Sequence, residues 1–395
     1  MSDNVYYCSN CGGIMEFDVA TQTLKCPNCD TQINIINDEN KIVEHSFTKR
    51  AAKTIKVAEK QSSTMQCKGC GAKVEVSADC TATECAYCGA SYVLAEKQED
   101  ALIPDGVVPF SVDKRDIKQS YEKWIQKRWL APSKLKQLYE TDKIQGIYVP
   151  YWTFDADVDC AYTAQGGKNR KEKVKNSDGS VTEKTVTDWY NTSGRVKEFF
   201  DDVQIKGSNN LKASLLRGVE PFDTKNKLKS YSPEYLSGYS AECYTISLED
   251  AHQEANRKME SELRDLVRKD VRRRYDEVRN IRISPNYKDE TYKHVLVPVY
   301  STAFTYNSKN YNVLINGQTG QIKGEYPKSP FKIAIIVAII IGIIVAAIVF
   351  GSSGKKEKSS NDVASVYTTD CICDNIENEF GIEEDIVYDV DYIEI

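Results

Sequence analysis

The hydrophobic pattern breaks the chain into unlike parts. Ile333 to Phe350 is eighteen residues without one polar side chain. At about 1.5 Å per residue a helix of that length spans about 27 Å, close to the hydrocarbon core of a bilayer. Gly-Ser-Ser-Gly-Lys-Lys follows at once, so the block predicts one membrane-spanning helix, bounded as 329–351. Upstream the pattern is amphipathic. Ile117, Tyr121, Trp124 and Ile125 share one stripe behind an N-cap at Asp113, with Asp116 in the first turn. Ser247 and Asp250 cap a long second helix whose predicted buried stripe is Ala255, Met259, Leu263, Val267, Val271 and Val278. Ile147 to Tyr162, Val295 to Phe304 and Lys309 to Ile315 are rich in aromatic and β-branched residues and predict strands. Asn316-Gly317 reads as a hairpin turn needing positive φ. Gly166 to Lys184, polar and lysine-rich, reads as an exposed hairpin loop. Together, 97–328 predicts an α+β domain.

The N-terminal hundred residues lack such periodicity and carry a repeat instead. Cys8, Cys11, Cys26 and Cys29 recur as Cys67, Cys70, Cys85 and Cys88, each shifted by 59 positions, with Gly12 and Glu16 recurring as Gly71 and Glu75. Two Cys-x-x-Cys turns on adjacent hairpins supply the four soft ligands that zinc prefers. The expectation is two small β zinc ribbons, 1–34 and 64–96, joined by a polar linker at 35–63 and holding two structural Zn2+ ions. A dithiol redox pair is the competing reading of any single Cys-x-x-Cys. Ribbons this small have little core, so metal supplies their folding energy, and chelation is expected to unfold them while 97–328 stays folded. Cys80 aligns with Thr21 and is read as a free thiol, while Cys160 and Cys243 are read as core residues.

Cysteine usage also bears on placement. There are thirteen cysteines, and the N-terminus Met1-Ser2-Asp3-Asn4 is polar with no apolar stretch behind it, which is no secretory signal. Paired thiolates on metal predict a reducing compartment. Lysines flank the apolar block equally, so the cysteines decide the orientation: residues 1–328 in the cytoplasm, tail outside. From position 361 on, that tail, 352–395, has eleven acidic residues and no Lys or Arg, along with Cys371 and Cys373.

Charge and motif content narrow the functional classes. Net charge is −6, and residues 1–100 hold ten Lys/Arg against fourteen Asp/Glu. Four thiolates on each Zn2+ would add further negative charge, which argues against phosphate binding by the ribbons. The segment Ala251–Arg282, with ten Lys/Arg including Arg272-Arg273-Arg274, is either a solvated helix face or a surface for anionic headgroups. No Gly-x-x-x-x-Gly-Lys-[Ser/Thr] loop, Gly-x-Gly-x-x-Gly or Gly-x-Ser-x-Gly occurs, and His45, His252 and His294 stand isolated in the chain. No catalytic constellation is predicted.

Several segments carry a resemblance. They are Gly106-Val-Val-Pro-Phe110, Gly146-Ile-Tyr-Val-Pro-Tyr-Trp-Thr-Phe-Asp155, Phe199-Phe-Asp-Asp202, Tyr235-Leu-Ser-Gly-Tyr239, Val297-Pro-Val-Tyr300, Asn316-Gly-Gln-Thr-Gly320 and Pro327-Lys-Ser329. Over roughly 1–350 the chain resembles bacterial TFIIB-type zinc-ribbon membrane proteins, often labelled primosomal or helicase-like. The absent phosphate loop contradicts the helicase label. The resemblance implies a membrane anchor working with phage-shock-protein-A-like and SPFH-domain partners in envelope stress. The expected function is therefore a membrane-anchored scaffold recruiting cytoplasmic proteins. The rival is a membrane-tethered nucleic-acid-binding protein.

Overall fold

The computed structural model describes residues 6–37, 42–48, 103–133, 144–175 and 180–353, and the backbone of four short strands between 63 and 93. Two compact units result, Met1–Ser329 and Pro330–Ile395.

The first unit begins with a three-stranded antiparallel sheet, β1 (Glu16–Asp18), β2 (Thr23–Lys25) and β3 (Gln32–Asn34). Next come β4 (His45–Ser46), then β5 (Ser63–Gln66), β6 (Lys73–Val76), β7 (Cys80–Glu84) and β8 (Ser91–Val93). β9 (Gly106–Val107) and helix α1 (Lys114–Gln126) lead into β10 (Gln145–Lys175) and β11 (Val181–Lys206). Helix α2 (Ala213–Arg217), β12 (Lys229–Ser230) and β13 (Ser240–Glu242) precede the long helix α3 (Leu248–Arg272). β14 (Glu277–Tyr306), β15 (Lys309–Asn316) and β16 (Ile322–Gly324) close the unit.

The domain is mainly one large mixed sheet with helices laid on it. Its backbone is β11-β10-β14-β15, antiparallel throughout, with β9 and β13 added in parallel to β14 and β10. Central β10 is buried on both faces, so burial runs unbroken through Tyr148–Phe154, which is apolar but for Thr153, where one-sided burial would alternate. Tyr148 packs with α1, Val149 and Tyr151 with α2, and Trp152 and Phe154 with α3.

Both expected caps are present. The Asp113 side chain accepts from Arg115 N, and Ser247 Oγ accepts from Asp250 N at 3.1 Å. The α3 stripe Ala255, Met259, Leu263, Val267, Val271 is buried as its spacing requires. Val278 is not part of it. The helix ends at Arg272, where three arginines suit the negative end of the dipole, and Val278 lies in β14.

The expected loop at 166–184 is also corrected. β10 and β11 pair continuously from Gly166↔Tyr190 to Lys175↔Val181, forming a largely polar two-stranded arm. The turn after Asn316 spans more than two residues: Gly320 holds φ +75°, and the Asn316 side chain accepts from Gln318 N and Thr319 N. The tight two-residue hairpin is instead Asn307-Ser308, with φ of 50° and 61°.

Sheet curvature comes from three bulges. Between Phe154 and Ala156, β11 inserts an extra residue at Asp201-Asp202. β14 does likewise at 289–290 and 280–281. Asp202, Asp289 and Asn280 stand there at φ of 56°, 49° and 53°, the left-handed region that Asp and Asn tolerate best.

The second unit contains α4 (Pro330–Ser353). It is long and apolar enough to cross a membrane, and its apolar side chains are exposed.

Candidate metal centre

Cys8 and Cys11 sit on one tight turn, Cys26 and Cys29 on another, and the two turns share one backbone pattern. Cys8 N donates to Gly13 O (2.7 Å) and Gly12 N to Cys8 O (2.8 Å). Cys26 N donates to Thr31 O (2.9 Å) and Asp30 N to Cys26 O (2.9 Å). The residue after each second cysteine takes positive φ, Gly12 at 73° and Asp30 at 59°. β1 and β2 span the gap between the turns and bring them face to face. The four Sγ atoms then lie within 4.8 Å of one another, with Cys8–Cys29 and Cys11–Cys26 each at 3.4 Å. A tetrahedron of sulfurs about 2.3 Å from a central ion has edges of about 3.8 Å, so the group can hold one metal ion.

The thiols cannot ionise alike without a cation. Cys29 is pushed down to about 6, first by the Thr31 hydroxyl and then by the Thr31 N–H. Cys11 goes up to about 12: the Gly13 N–H favours its thiolate but is outweighed by the sulfurs of Cys29 and Cys26. Such a split disappears when a divalent ion balances four thiolates.

The site is not a detached bead. Phe17 and Val19 of the β1 hairpin are buried in the same core as Phe110, Ile117, Tyr235 and Tyr300. Phe17 packs edge-on against Tyr235, its N–H donates to Ser237 O, and Ser237 Oγ donates to Met15 O. The expected linker at 35–63 is likewise anchored in its described part. Asn37 accepts from Ser230, β4 pairs with Thr291 and Tyr292, and Phe47 stacks on His252 at 3.6 Å.

The histidines, isolated in sequence, gain partners in the fold, His45 and His252 by way of this strap. His45 meets Asp105 at 2.7 Å and His252 meets Glu290 at 2.5 Å, while His294 is buried beside Trp152 and Tyr244. None of them faces a nucleophile among the contacts described.

A second acidic cluster, Asp155 with Asp201 and Asp202, was invisible to motif reading. It already has an internal cation. Lys293 Nζ lies 2.9 Å from Asp202, 2.9 Å from Glu44 and 3.5 Å from Asp155. Burial opposes the Lys293 charge, but the bonds to Glu44 and Asp202 outweigh it and hold the ammonium above its usual range. The signal that could have revealed the bulge is the Asp-Asp pair set between Phe199-Phe200 and Val203.

Cys67, Cys70, Cys85 and Cys88 lie outside the described residues. The strands around them pair as β5–β6 and β7–β8, and β7 reaches β13. Cys160 and Cys243 are buried, as core residues should be.

Fold and site define a protein with a four-cysteine turn pair able to hold a metal ion, a mixed-sheet domain and, among the described residues, one apolar helix long enough to span a bilayer. The chain is similar to the uncharacterized protein YdjG of Bacillus subtilis (strain 168), 28% identical over 337 residues, covering 83% of this chain and 92% of that protein. No family model and no solved structure matches.

Proposed function

We propose that the chain is a membrane-anchored adaptor whose metal-bound turns and mixed-sheet domain hold cytoplasmic proteins at the bilayer. The observation that carries this reading is the closed cysteine site. Four sulfurs fill a tetrahedron and leave no position for water or substrate, so the ion is structural, and Zn2+ is the ion such a set prefers. A second Zn2+ on Cys67, Cys70, Cys85 and Cys88 follows from the repeat. The helix α4 anchors the assembly, with residues 1–328 in the reducing cytoplasm and the acidic tail outside. Partners resembling phage-shock protein A or SPFH-domain proteins are the resemblance's contribution.

The test is a native pull-down of the full chain from solubilised membranes beside a Cys67→Ser/Cys70→Ser variant, quantifying protein and nucleic acid in each eluate. Specific proteins that vanish with the variant are the expected result. Salt-labile nucleic acid without specific proteins would overturn the adaptor and favour the tethered nucleic-acid binder.

A further inference from the structure

β11 is hydrogen-bonded to β10 along one edge, and no strand pairs with its other edge among the described residues. The alternation along that edge is fixed by Gly207 N, which donates to Pro150 O at 2.7 Å. Val203 and Ile205 therefore turn their backbone groups toward β10, while Gln204 and Lys206 turn theirs outward. A bare edge is normally blunted or covered. Here it lies at the bottom of a groove. Helix α3 forms one wall with Glu254, Arg257 and Lys258, and the α2 segment forms the other with Ala213, Leu216 and Arg217, enclosing about 400 Å³. A wider hollow of about 900 Å³ continues along the strand from Glu198, sharing Gln204, Glu220 and Lys258 with the first. The concavity thus follows about nine residues of strand, or roughly 30 Å, much longer than a small molecule.

Its charge is uneven. Lys206, Arg217, Arg257 and Lys258 meet only Glu220 and Glu254 around the narrower cavity. Glu220 is already engaged by the Tyr151 hydroxyl at 2.7 Å. Lys258 reaches the outward Gln204 carbonyl at 3.4 Å, and Lys206 bonds Asn209. Arg217 and Arg257, on opposite walls, make no ion pair or hydrogen bond among those described. Buried Ile205 in the floor and buried Leu216 in the α2 wall make the space between them apolar. The Gln204 side chain bonds both Phe222 N and Phe222 O, tying the segment after α2 to the strand.

The wider hollow carries six carboxylates against Lys225, Lys227 and Lys258, so only the narrower end favours an anion. We propose that this groove takes an extended peptide from a protein partner, acidic at the residue that meets the narrower cavity and added as a strand to the free edge of β11. The partner's backbone pairs with Gln204 and Lys206, and an Asp or Glu side chain sits between Arg217 and Arg257. A lipid headgroup would satisfy the arginines but has no use for a row of strand donors and acceptors. The inference rests on the adaptor reading and names the kind of segment such an adaptor would hold.

The test screens the full chain, in phosphatidylcholine nanodiscs, against displayed random peptides. The enriched peptides are expected to share an acidic residue at one position. Arg217→Glu/Arg257→Glu, with an unchanged far-UV spectrum, should weaken their binding by about tenfold or more. N-methylating alternate amides of an enriched peptide, which leaves the protein untouched, should do the same in one register only. No enriched sequence, binding indifferent to both changes, or displacement by inorganic phosphate without sequence preference would overturn the groove. A chain that recruits proteins in the membrane pull-down yet selects no peptide refutes the groove alone. One that recruits no protein refutes both readings.

Discussion

Lys293 is the residue whose removal tests the architecture most directly. Its side chain is 6% exposed and lies between Asp155 and Asp202, exposed by 8% and 3%, with Glu44 capping the cluster from the strap. Lys293→Met keeps the length and apolar stem but leaves two buried carboxylates without a cation. Breaking a buried pair from one side costs about 3–5 kcal/mol. The half-exposed Glu44 contact adds at most about 1 kcal/mol. For a domain of this size each kcal/mol lowers the melting temperature by about 2–4 °C, so a drop of roughly 10 °C is expected. Trp152, paired with the neighbouring His294 in the sheet, makes tryptophan fluorescence of the full chain in detergent a suitable readout. The loss should also depend on pH. Burial raises the Asp155 pKa while Lys293 lowers it. Without the lysine the carboxyl rises further, and a raised folded pKa stabilises at low pH and ceases to as pH climbs through it. The deficit should therefore shrink as acidification protonates the carboxyl, and Asp155→Asn added to Lys293→Met should recover part of it at neutral pH. A variant that melts with the wild type, or a deficit insensitive to acid, would refute the reasoning.

Three further outcomes follow from the geometry. Gly13→Ala would place a Cβ 2.5 Å from Asn28 Nδ2 and 3.3 and 3.4 Å from the Cys26 and Cys11 sulfurs. It should release metal faster to a chromogenic chelator, and an unchanged release rate would contradict the packing around the sulfurs. Gly146→Ala would drive a Cβ to 2.4 Å from the Tyr239 ring, itself stacked on Phe110 at 4.2 Å, and should cost about 1–3 kcal/mol in denaturant melts. Chelation should lower the melting temperature reported by Trp152 as well as disorder the cysteine turns, because Phe17 and Val19 belong to the domain's core. A domain transition indifferent to chelator would show that this shared core contributes little.

Local order was readable from the chain, and non-local order was not. Asp113 and Ser247 announce their helices because a cap is satisfied within three residues, and the α3 stripe is visible because its spacing is the helix's own. The four-cysteine group was legible for a similar reason: each half of the site is a four-residue turn, and only the meeting of two halves had to be inferred. The lysine-rich stretch at 166–184 misled because polarity marks solvent exposure, whereas strand formation there depends on a partner strand across the turn. Val278 fits the helical spacing by coincidence, the helix having ended six residues earlier. The docking of Phe17 on Tyr235, or Glu44 on Lys293, joins residues more than two hundred positions apart. No periodicity encodes such a pairing, and in a segment as short as 42–48 the apolar Ile42, Val43 and Phe47 are too few to show a period. That is why a stretch composed like a linker can serve as a strap, and why a chain whose cysteine turns and sheet share one core should respond to chelation as one body rather than as beads on a string.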